Sequence, residues 1–367
     1  MDKINICFHI GNITNCGGTE KVTTQIASLL LDQYQDYNIT ILSSYYDSKK
    51  EIFFKGNERI KYDKIFDEEI NLKKNYFKMI KKLNQYIKKN NVDVLVGVDT
   101  MLALFDIPAI KGTKCKYIAW EHFNYNYNLG KKLRDFGRKY AAKRADALVV
   151  LTDKDKDYFN NNLRIRNKLI RIYNPFINNE KEVKYNKESN IIMSSGRLTY
   201  QKGFDMLIEV AKKLKDKTED FKWNILGDGA DKEVLQSKIK ENGLSKFVEL
   251  KGKVKNVEDY YKESKMFVLT SRFEGLGIVV LEAKSYLLPV VSFDCDCGPS
   301  EMIEENINGY LIEEFDISKM AERIYELLKD QDKCERFSEK AKINMKKFNP
   351  DEIVKQWNEL IKEVVSK

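Results

Sequence analysis

Short apolar runs alternate with stretches of helical periodicity along all 367 residues, and after one polar interruption the alternation begins again. A strand, a helix of ten or more residues and a further strand cannot make a hairpin. The connection crosses over, the strands pair in parallel, and helices cover both faces of the sheet. In the first half the apolar runs fall at 4–10, 38–43, 93–98, 116–120, 147–151 and 169–173, with helical spacing at 19–34, 74–89, 129–144 and 153–161. Residues 174–190, NPFINNEKEVKYNKESN, combine a proline, asparagines and mixed charge without apolar periodicity, which is linker chemistry. The second series places strands at 190–195, 222–226, 248–251, 266–269, 290–293 and 310–312, and helices at 203–215, 230–241, 277–287, 300–305, 318–329 and 333–347. The expected fold class is α/β, with two doubly wound Rossmann-like domains at 1–176 and 177–350 facing across a cleft, where the carboxyl ends of the strands place ligands. Residues 351–367 carry the stripe Ile353, Trp357, Leu360, Ile361 and Val364 with no strand after it, so this helix is expected to pack back on the first domain.

With 43% hydrophobic residues a large core is available, and the scarce residue types narrow the chemistry. Only His9 and His122 exist, no Cys-x-x-Cys pair occurs, and six unpatterned cysteines suit small buried hydrophobes in a reducing cytosol. No metal site and no cofactor is therefore expected. The first 18 residues lack a signal cleavage pattern, and no apolar run approaches the ~18 residues of a membrane span. A cytoplasmic chain that can lie on the inner face of the cell membrane but not cross it is the expectation. The formal net charge is +8 and the positive excess lies in residues 1–180, so something anionic is expected to meet the first half.

Two motifs in the second half carry chemistry. Gly196-Arg197-Leu198 follows an apolar strand, and Lys202-Gly203-Phe204-Asp205 opens the next helix, an arrangement of two cations and a helix N-terminus that suits phosphate. The other is Ser271-Arg272-Phe273-Glu274-Gly275-Leu276-Gly277, leading into a helix that contains Glu282. Its glycines let the backbone approach a ligand while free amides face it, and Glu282 between apolar neighbours needs a polar partner. Asp294-Cys295-Asp296 has the spacing of a metal-binding Asp-x-Asp, but carboxylates in such a loop also cap turns, and two cations already stand at the phosphate position.

Glu274-x7-Glu282, Gly196-Arg197-Leu with Lys202-Gly-Phe-Asp, Gly227-Asp-Gly229 and Gly298-Pro-Ser-Glu301 together resemble the retaining, GT-B-fold glycosyltransferases of family 4 (glycosyltransferase group 1). Gly17-Gly18-Thr-Glu20 and Trp120-Glu121-His122-Phe123-Asn124 are similar to that family's acceptor domain. The resemblance implies an acceptor-binding domain at 1–176 and a donor-binding domain at 177–350. It implies that Arg197 and Lys202, with amides of Gly275, Leu276 and Gly277, neutralise the diphosphate of a nucleotide sugar, expected to be a UDP sugar, which is a substrate and not a cofactor. Glu282 would hold the ribose hydroxyls, Glu274 the donor sugar's hydroxyls, Gly17 and Gly18 would approach the diphosphate, and His122 would touch the sugar near the reacting carbon. The catalytic set is thus His122, Glu274, Arg197 and Lys202. Two departures stand out: Leu276 replaces a frequent aromatic, and Leu288 replaces a helix-ending glycine.

Residues 129–144 are basic and follow the aromatics Phe123, Tyr125 and Tyr127. Lys131, Arg134 and Arg138 fall at three- and four-residue steps, so they share one helix face, which is expected to meet an anionic membrane surface or a lipid diphosphate. The resulting expectation is transfer of a hexose or N-acetylhexosamine to a lipid-linked saccharide in surface polysaccharide or glycan assembly. A UDP-sugar epimerase of the same shape and a non-catalytic nucleotide-sugar-binding protein are the alternatives. Nucleic acid is not an expected partner, because no recognised binding module is present.

Overall fold

The computed structural model describes residues 3–47, 49–128, 130–177 and 183–367, and the chain divides into two compact units, Met1–Pro175 with Phe348–Lys367 and Phe176–Lys347. Parts of the expected linker, 178–182, and the expected helix start at Leu129 lie outside the described residues.

In the first unit seven parallel strands, β1 (Ile4–Ile10), β2 (Tyr37–Tyr45), β3 (Lys61–Phe66), β4 (Val94–Val98), β5 (Lys116–Trp120), β6 (Ala147–Val150) and β7 (Lys168–Arg171), take the order β3-β2-β1-β4-β5-β6-β7. The helices between them are α1 (Gly18–Gln33), α2 (Tyr76–Lys89), α3 (Ala103–Ala109), α4 (Lys132–Arg144) and α5 (Asp153–Asn162). Alternation along the strands decides which side each residue serves. Cys7, Leu95, Ala119 and Leu148 join Met79, Leu83 and Ile87 of α2, Phe105 of α3, Ala141 of α4 and Phe159 of α5 in one core. Phe8 and Trp120 serve the other side.

That other side is closed by α13 (Pro350–Ser366), which packs on α1. Trp357 is fully buried, its ring 4.8 Å from Trp120 and 6.3 Å from Phe8, both edge to face. Ile353, Leu360, Ile361 and Val364 are buried beside it, so the last helix of the chain completes the core of the first unit.

The second unit has six parallel strands, β8 (Ile191–Ser195), β9 (Lys222–Leu226), β10 (Val248–Gly252), β11 (Met266–Leu269), β12 (Val290–Phe293) and β13 (Gly309–Ile312), in the order β10-β9-β8-β11-β12-β13. Its helices are α6 (Phe204–Lys215), α7 (Lys232–Glu241), α8 (Val257–Glu263), α9 (Ile278–Ser285), α10 (Pro299–Met302), α11 (Ile317–Lys329) and α12 (Gln331–Glu339). Leu207, Val210 and Leu214 of α6 meet Ile324 and Leu327 of α11 over Trp223 and Val268 in its core.

Several elements depart from the periodicity. β3 was not expected, because Lys61 and Asp63 stand exposed at alternate positions of an edge strand. α3 carries Pro108, and α8 is one short, mostly polar helix, so neither leaves a helical signature long enough to read. α12 ends at Glu339 and not near 347. The residue that ends α9 in the left-handed region is Leu287, at φ 62°, and not Leu288, which is buried in the core. Leucine there lacks glycine's freedom at positive φ, a strain of about 1 kcal/mol.

Trp357→Ala should lower the stability of the first unit by about 3–5 kcal/mol, since it empties a fully buried indole site between Phe8 and Trp120. A urea titration should show the transition of the first unit at a lower midpoint while that of the second unit stays in place.

Candidate functional site

In a parallel sheet whose strand order reverses, the two loops that leave the central strands turn to opposite faces and open a crevice at the carboxyl edge. The second sheet reverses between β8 and β11. The loops that follow those two strands are 196–203 and 270–277, so the topology itself brings both motifs together.

Their contact is tight and polar. Gly227 (φ 131°) and Gly229 lie against the backbone of Gly196 and Leu198, where a Cβ would collide with carbonyl oxygens. Leu198 N donates to Asp228 O at 3.0 Å, and Asp231 N to Leu198 O at 3.0 Å, which fixes the first loop. Gly203 (φ 64°) turns the chain beneath Thr270 into α6. Arg272 clamps Asp205 through two bonds of 2.9 and 2.7 Å, donates to Tyr200 O at 2.7 Å and lays its guanidinium 4.0 Å from the Tyr200 ring. Its charge is spent inside the protein, so it is a brace between the loops.

Within this frame Lys202 Nζ meets Glu274 Oε1 at 2.7 Å, and Ser271 Oγ donates to the same oxygen at 2.6 Å. Both bonds fall on Oε1, and Oε2 meets no partner among the described residues. Glu274 is 5% exposed, so its charge needs this neighbouring cation. Arg197 is exposed, and its guanidinium pairs with no acid among the described residues. Gly277 enters α9 at φ 80°, and no acceptor among the described residues takes the N–H of Gly275, Leu276 or Gly277. Leu276 is buried beneath Gly298. Glu282, half-buried one turn into α9, accepts from the phenol of Tyr261 at 3.1 Å. Burial and then Glu282 push that phenol far above its ordinary range, so it stays a donor. Lys202 and Glu274 thus meet at the switch point, with Arg197 on the first loop, the amides of 275–277 on the second and Glu282 on the helix that the second loop enters.

Among the described residues no third metal-ligating side chain joins Asp294 and Asp296. Asp296 contributes its backbone to a bridge with Phe273, and no group of three His, Cys, Asp or Glu suitable for a metal ion occurs among the described residues.

The first sheet reverses between β1 and β4, and its loops 11–17 and 99–100 stand at that point. Gly17 is the N-cap of α1; a Cβ there would meet the Glu20 carboxylate at 2.5 Å, whereas Gly18 is open on all sides. Beneath this loop His9 is buried, with Nδ1 2.6 Å from Asp106 and Nε2 3.0 Å from Ser44, so it serves the strand ends and not the surface.

His122 follows β5, 8% exposed, its ring 4.3 Å from that of Trp120, and its Nε2 has no partner among the described residues. Burial lowers its pKa to about 4, with Asp99 opposing weakly, so the imidazole is neutral at physiological pH. The loop that carries it is held by Glu121. Its Oε1 accepts the amides of His122 and Phe123 at 3.1 and 3.0 Å, and its Oε2 accepts Thr100 Oγ1 and Arg138 Nε at 2.5 and 2.8 Å.

Here the expected basic face is corrected. Arg134 and Arg138 do share one face of α4, but it is the inner one: they are 2% and 1% exposed. Gly137 between them lets the helix lie directly on the backbone of Thr100 and Met101. Arg138 also donates to the carbonyls of Tyr125 and Asn124 at 2.5 and 2.8 Å, and Arg134 pairs with Asp99 at 2.8 Å while stacking on Phe123. Five donors in a rigid fork satisfy a carbonyl-rich loop that a lysine could not. Of the three, only Lys131 is exposed. Ser271, Tyr261 and Glu121, which orient the site groups, were not singled out in the sequence; their adjacency to Glu274 and His122 was the available signal for Ser271 and Glu121, and Tyr261 left none.

Two family models match the chain: Glycosyl transferases group 1 over residues 176–344 and Glycosyltransferase Family 4 over residues 16–180. An uncharacterized glycosyltransferase of Haemophilus influenzae is 30% identical over 98% of this chain and 100% of its own length. A Campylobacter jejuni enzyme named as an α-1,4-N-acetyl-D-galactosaminyltransferase acting on GalNAc-α-(1->4)-GalNAc-α-(1->3)-diNAcBac-PP-undecaprenol is 28% identical over 98% and 99%. A crystal structure of a mutant of S. aureus TarM with fondaparinux, α-GlcNAc-glycerol and UDP superimposes with a TM-score of 0.81 at 20% identity, covering 98% of this chain and 100% of that one. The chain belongs to the glycosyltransferases of family 4, with the GT-B architecture of two parallel-sheet Rossmann-like units.

The neutral His122 makes stability pH-dependent. The unfolded chain binds a proton near pH 6.5 that the folded one refuses until about pH 4, so stability is lost as pH falls through this window. His122→Gln should remove a slope of about 1 kcal/mol per pH unit between these limits, read from urea midpoints of the first unit at stepped pH.

Proposed function

We propose that the chain is a retaining, metal-independent glycosyltransferase that moves a hexose or N-acetylhexosamine from a UDP-linked donor to a lipid-linked saccharide. It would work peripherally, at the cytoplasmic face of the cell membrane, in polysaccharide or glycan assembly. The observation that carries this reading is the Lys202–Glu274 pair at the switch point of the second sheet, between the loop that carries Arg197 and the loop whose amides at 275–277 meet no acceptor among the described residues. UDP in the related TarM complex and the lipid-linked acceptor in the name of the Campylobacter relative support the choice of donor and acceptor classes.

In the proposed reaction the bond from the sugar's anomeric carbon to the phosphate oxygen breaks, and its electron pair leaves with the diphosphate. The acceptor hydroxyl oxygen bonds to that carbon on the same face, and its proton passes to a phosphate oxygen. Charge therefore grows on the diphosphate, where Arg197, Lys202 and the amides of Gly275, Leu276 and Gly277 stabilise the transition state more than the ground state. The role assigned to a metal in other transferases is filled by these cations. Glu274, with Oε1 held by Lys202 and Ser271, offers Oε2 to donor-sugar hydroxyls, and Glu282 takes the ribose hydroxyls. His122, as a neutral imidazole, donates or accepts a single hydrogen bond to the sugar without adding charge. Gly18 leaves room for the diphosphate.

Glu282→Ala and Lys202→Ala should each weaken UDP binding about 10- to 100-fold in a calorimetric titration, as expected for hydrogen bonds to charged groups. Unchanged affinity in both would remove the site from this place. Transfer from a UDP sugar should survive EDTA; a complete loss reversed by divalent cations would restore Asp294 and Asp296 as ligands. Epimerisation of the UDP sugar without an acceptor would instead favour the epimerase reading.

A further inference from the structure

Once Arg134 and Arg138 are assigned to the interior, the positive charge of the first unit has a different address. Between Glu69 and Asp93 the chain has seven lysines and no acid, and this segment contains α2. Met79, Leu83 and Ile87 face the core, which turns Phe77 outward at 83% exposure, with Lys81 one turn on and Lys74 in the turn that leads into the helix, both exposed. The outer face of α4 repeats the pattern: Phe136 is 62% exposed, with exposed Lys132 and Lys139 four residues before and three after. None of these four ammonium groups pairs with an acid among the described residues.

The two helices lie on the same side of the sheet, each packed against α3 between them, and both contribute to one core. Both begin at the carboxyl edge of the parallel sheet, because each follows its strand and runs back. Phe77 lies in the first turn of α2 and Phe136 in the second turn of α4, so both stand toward the edge where His122 and the Glu121–Arg138 frame are found.

Phe77 and Phe136 leave most of their rings in water, and each has two lysines without an acid partner among the described residues about a turn away, a combination with one matching environment. We propose that the outer faces of α2 and α4 dock the first unit on an anionic bilayer, with Phe77 and Phe136 entering the headgroup boundary and Lys74, Lys81, Lys132 and Lys139 meeting lipid phosphates. This rests on the reading of the acceptor as lipid-linked, and it places the docking surface beside the edge that would receive that acceptor. Lysine suits the task, since its flexible, strongly hydrated ammonium can follow a fluid surface without a fixed partner.

The test is co-sedimentation of the full chain with phosphatidylcholine vesicles that contain or lack phosphatidylglycerol, for the parent, for the pair Phe77→Ser with Phe136→Ser, and for the set Lys74→Gln, Lys81→Gln, Lys132→Gln and Lys139→Gln. The parent should bind only the anionic vesicles, and more weakly as salt rises. At about fivefold per lysine, the quadruple variant should lose more than about 100-fold in partition, and the aromatic pair at least about tenfold. Thermal unfolding and UDP affinity should match the parent, because every altered side chain is exposed and none belongs to the donor site. The proposal is overturned if the parent ignores anionic vesicles, or if both variants bind them as the parent does. It is also overturned if the aromatic variant merely converts a dimer to a monomer with vesicle binding intact, which would make a second copy the occupant. Turnover of a lipid-linked acceptor in vesicles separates the two readings: docking without any transfer would sink the acceptor assignment alone, and transfer at the parent rate by variants that still bind would sink the docking surface alone.

Discussion

Reversal of strand order in an all-parallel sheet is the constraint on which the rest of the molecule depends. At β8 and β11 in one unit, and at β1 and β4 in the other, neighbouring strands send their connections to opposite faces, and backbone groups at the carboxyl edge are left without neighbours. The loops placed there must be short of side-chain bulk and rich in polar partners. Glycine at positive φ supplies the first requirement at Gly203, Gly227 and Gly277. Buried carboxylates with fixed cations supply the second, through Glu274 with Lys202 and Glu121 with Arg138.

The two ion pairs solve the same electrostatic problem differently. Glu121 and Arg138 are both essentially inaccessible, and the guanidinium's remaining donors end on backbone carbonyls, so the pair is closed and serves as scaffold. Removing either partner would strand a charge in the interior at a cost of about 3–5 kcal/mol. Glu274 and Lys202 are left ajar: Lys202 keeps 13% of its side chain exposed, and one carboxylate oxygen meets no partner among the described residues. A closed pair holds a loop, whereas an open one can exchange part of its bonding for a ligand.

Much of this was legible from residues alone, and what was hidden has physical reasons. The double β-α series, the linker and the grouping of Gly196–Asp205 with 271–282 follow from periodicity and turn chemistry, which are local. β3 was hidden because an edge strand tolerates lysine and aspartate at alternate positions, and α3 because a seven-residue helix containing Pro108 has too few turns to show a period. The arginines of α4 were misread for a different cause. Spacing correctly put Arg134 and Arg138 on one face, but which face turns inward is decided by Gly137 and by carbonyls of the 123–127 loop, and no periodicity records them. Arg272 was hidden in the same way: beside the site in sequence, it is neutralised by Asp205, sixty-seven residues earlier.

This division between arginine and lysine also explains how one basic half can serve two ends. Guanidinium groups are weakly hydrated and geometrically fixed, so burying Arg134 and Arg138 costs less than burying ammonium would, and their rigid forks organise the loop around His122. Ammonium groups are costly to bury and inexpensive to leave in water, so the lysines of α2 and α4 stay outside. The charge excess read from composition therefore has two parts, an internal one that shapes the site and an external one available to an anionic surface. Between them His122 remains uncharged, because the cations that hold its loop point at Glu121, Asp99 and carbonyl oxygens, and burial outweighs the opposing pull of the Asp99 carboxylate.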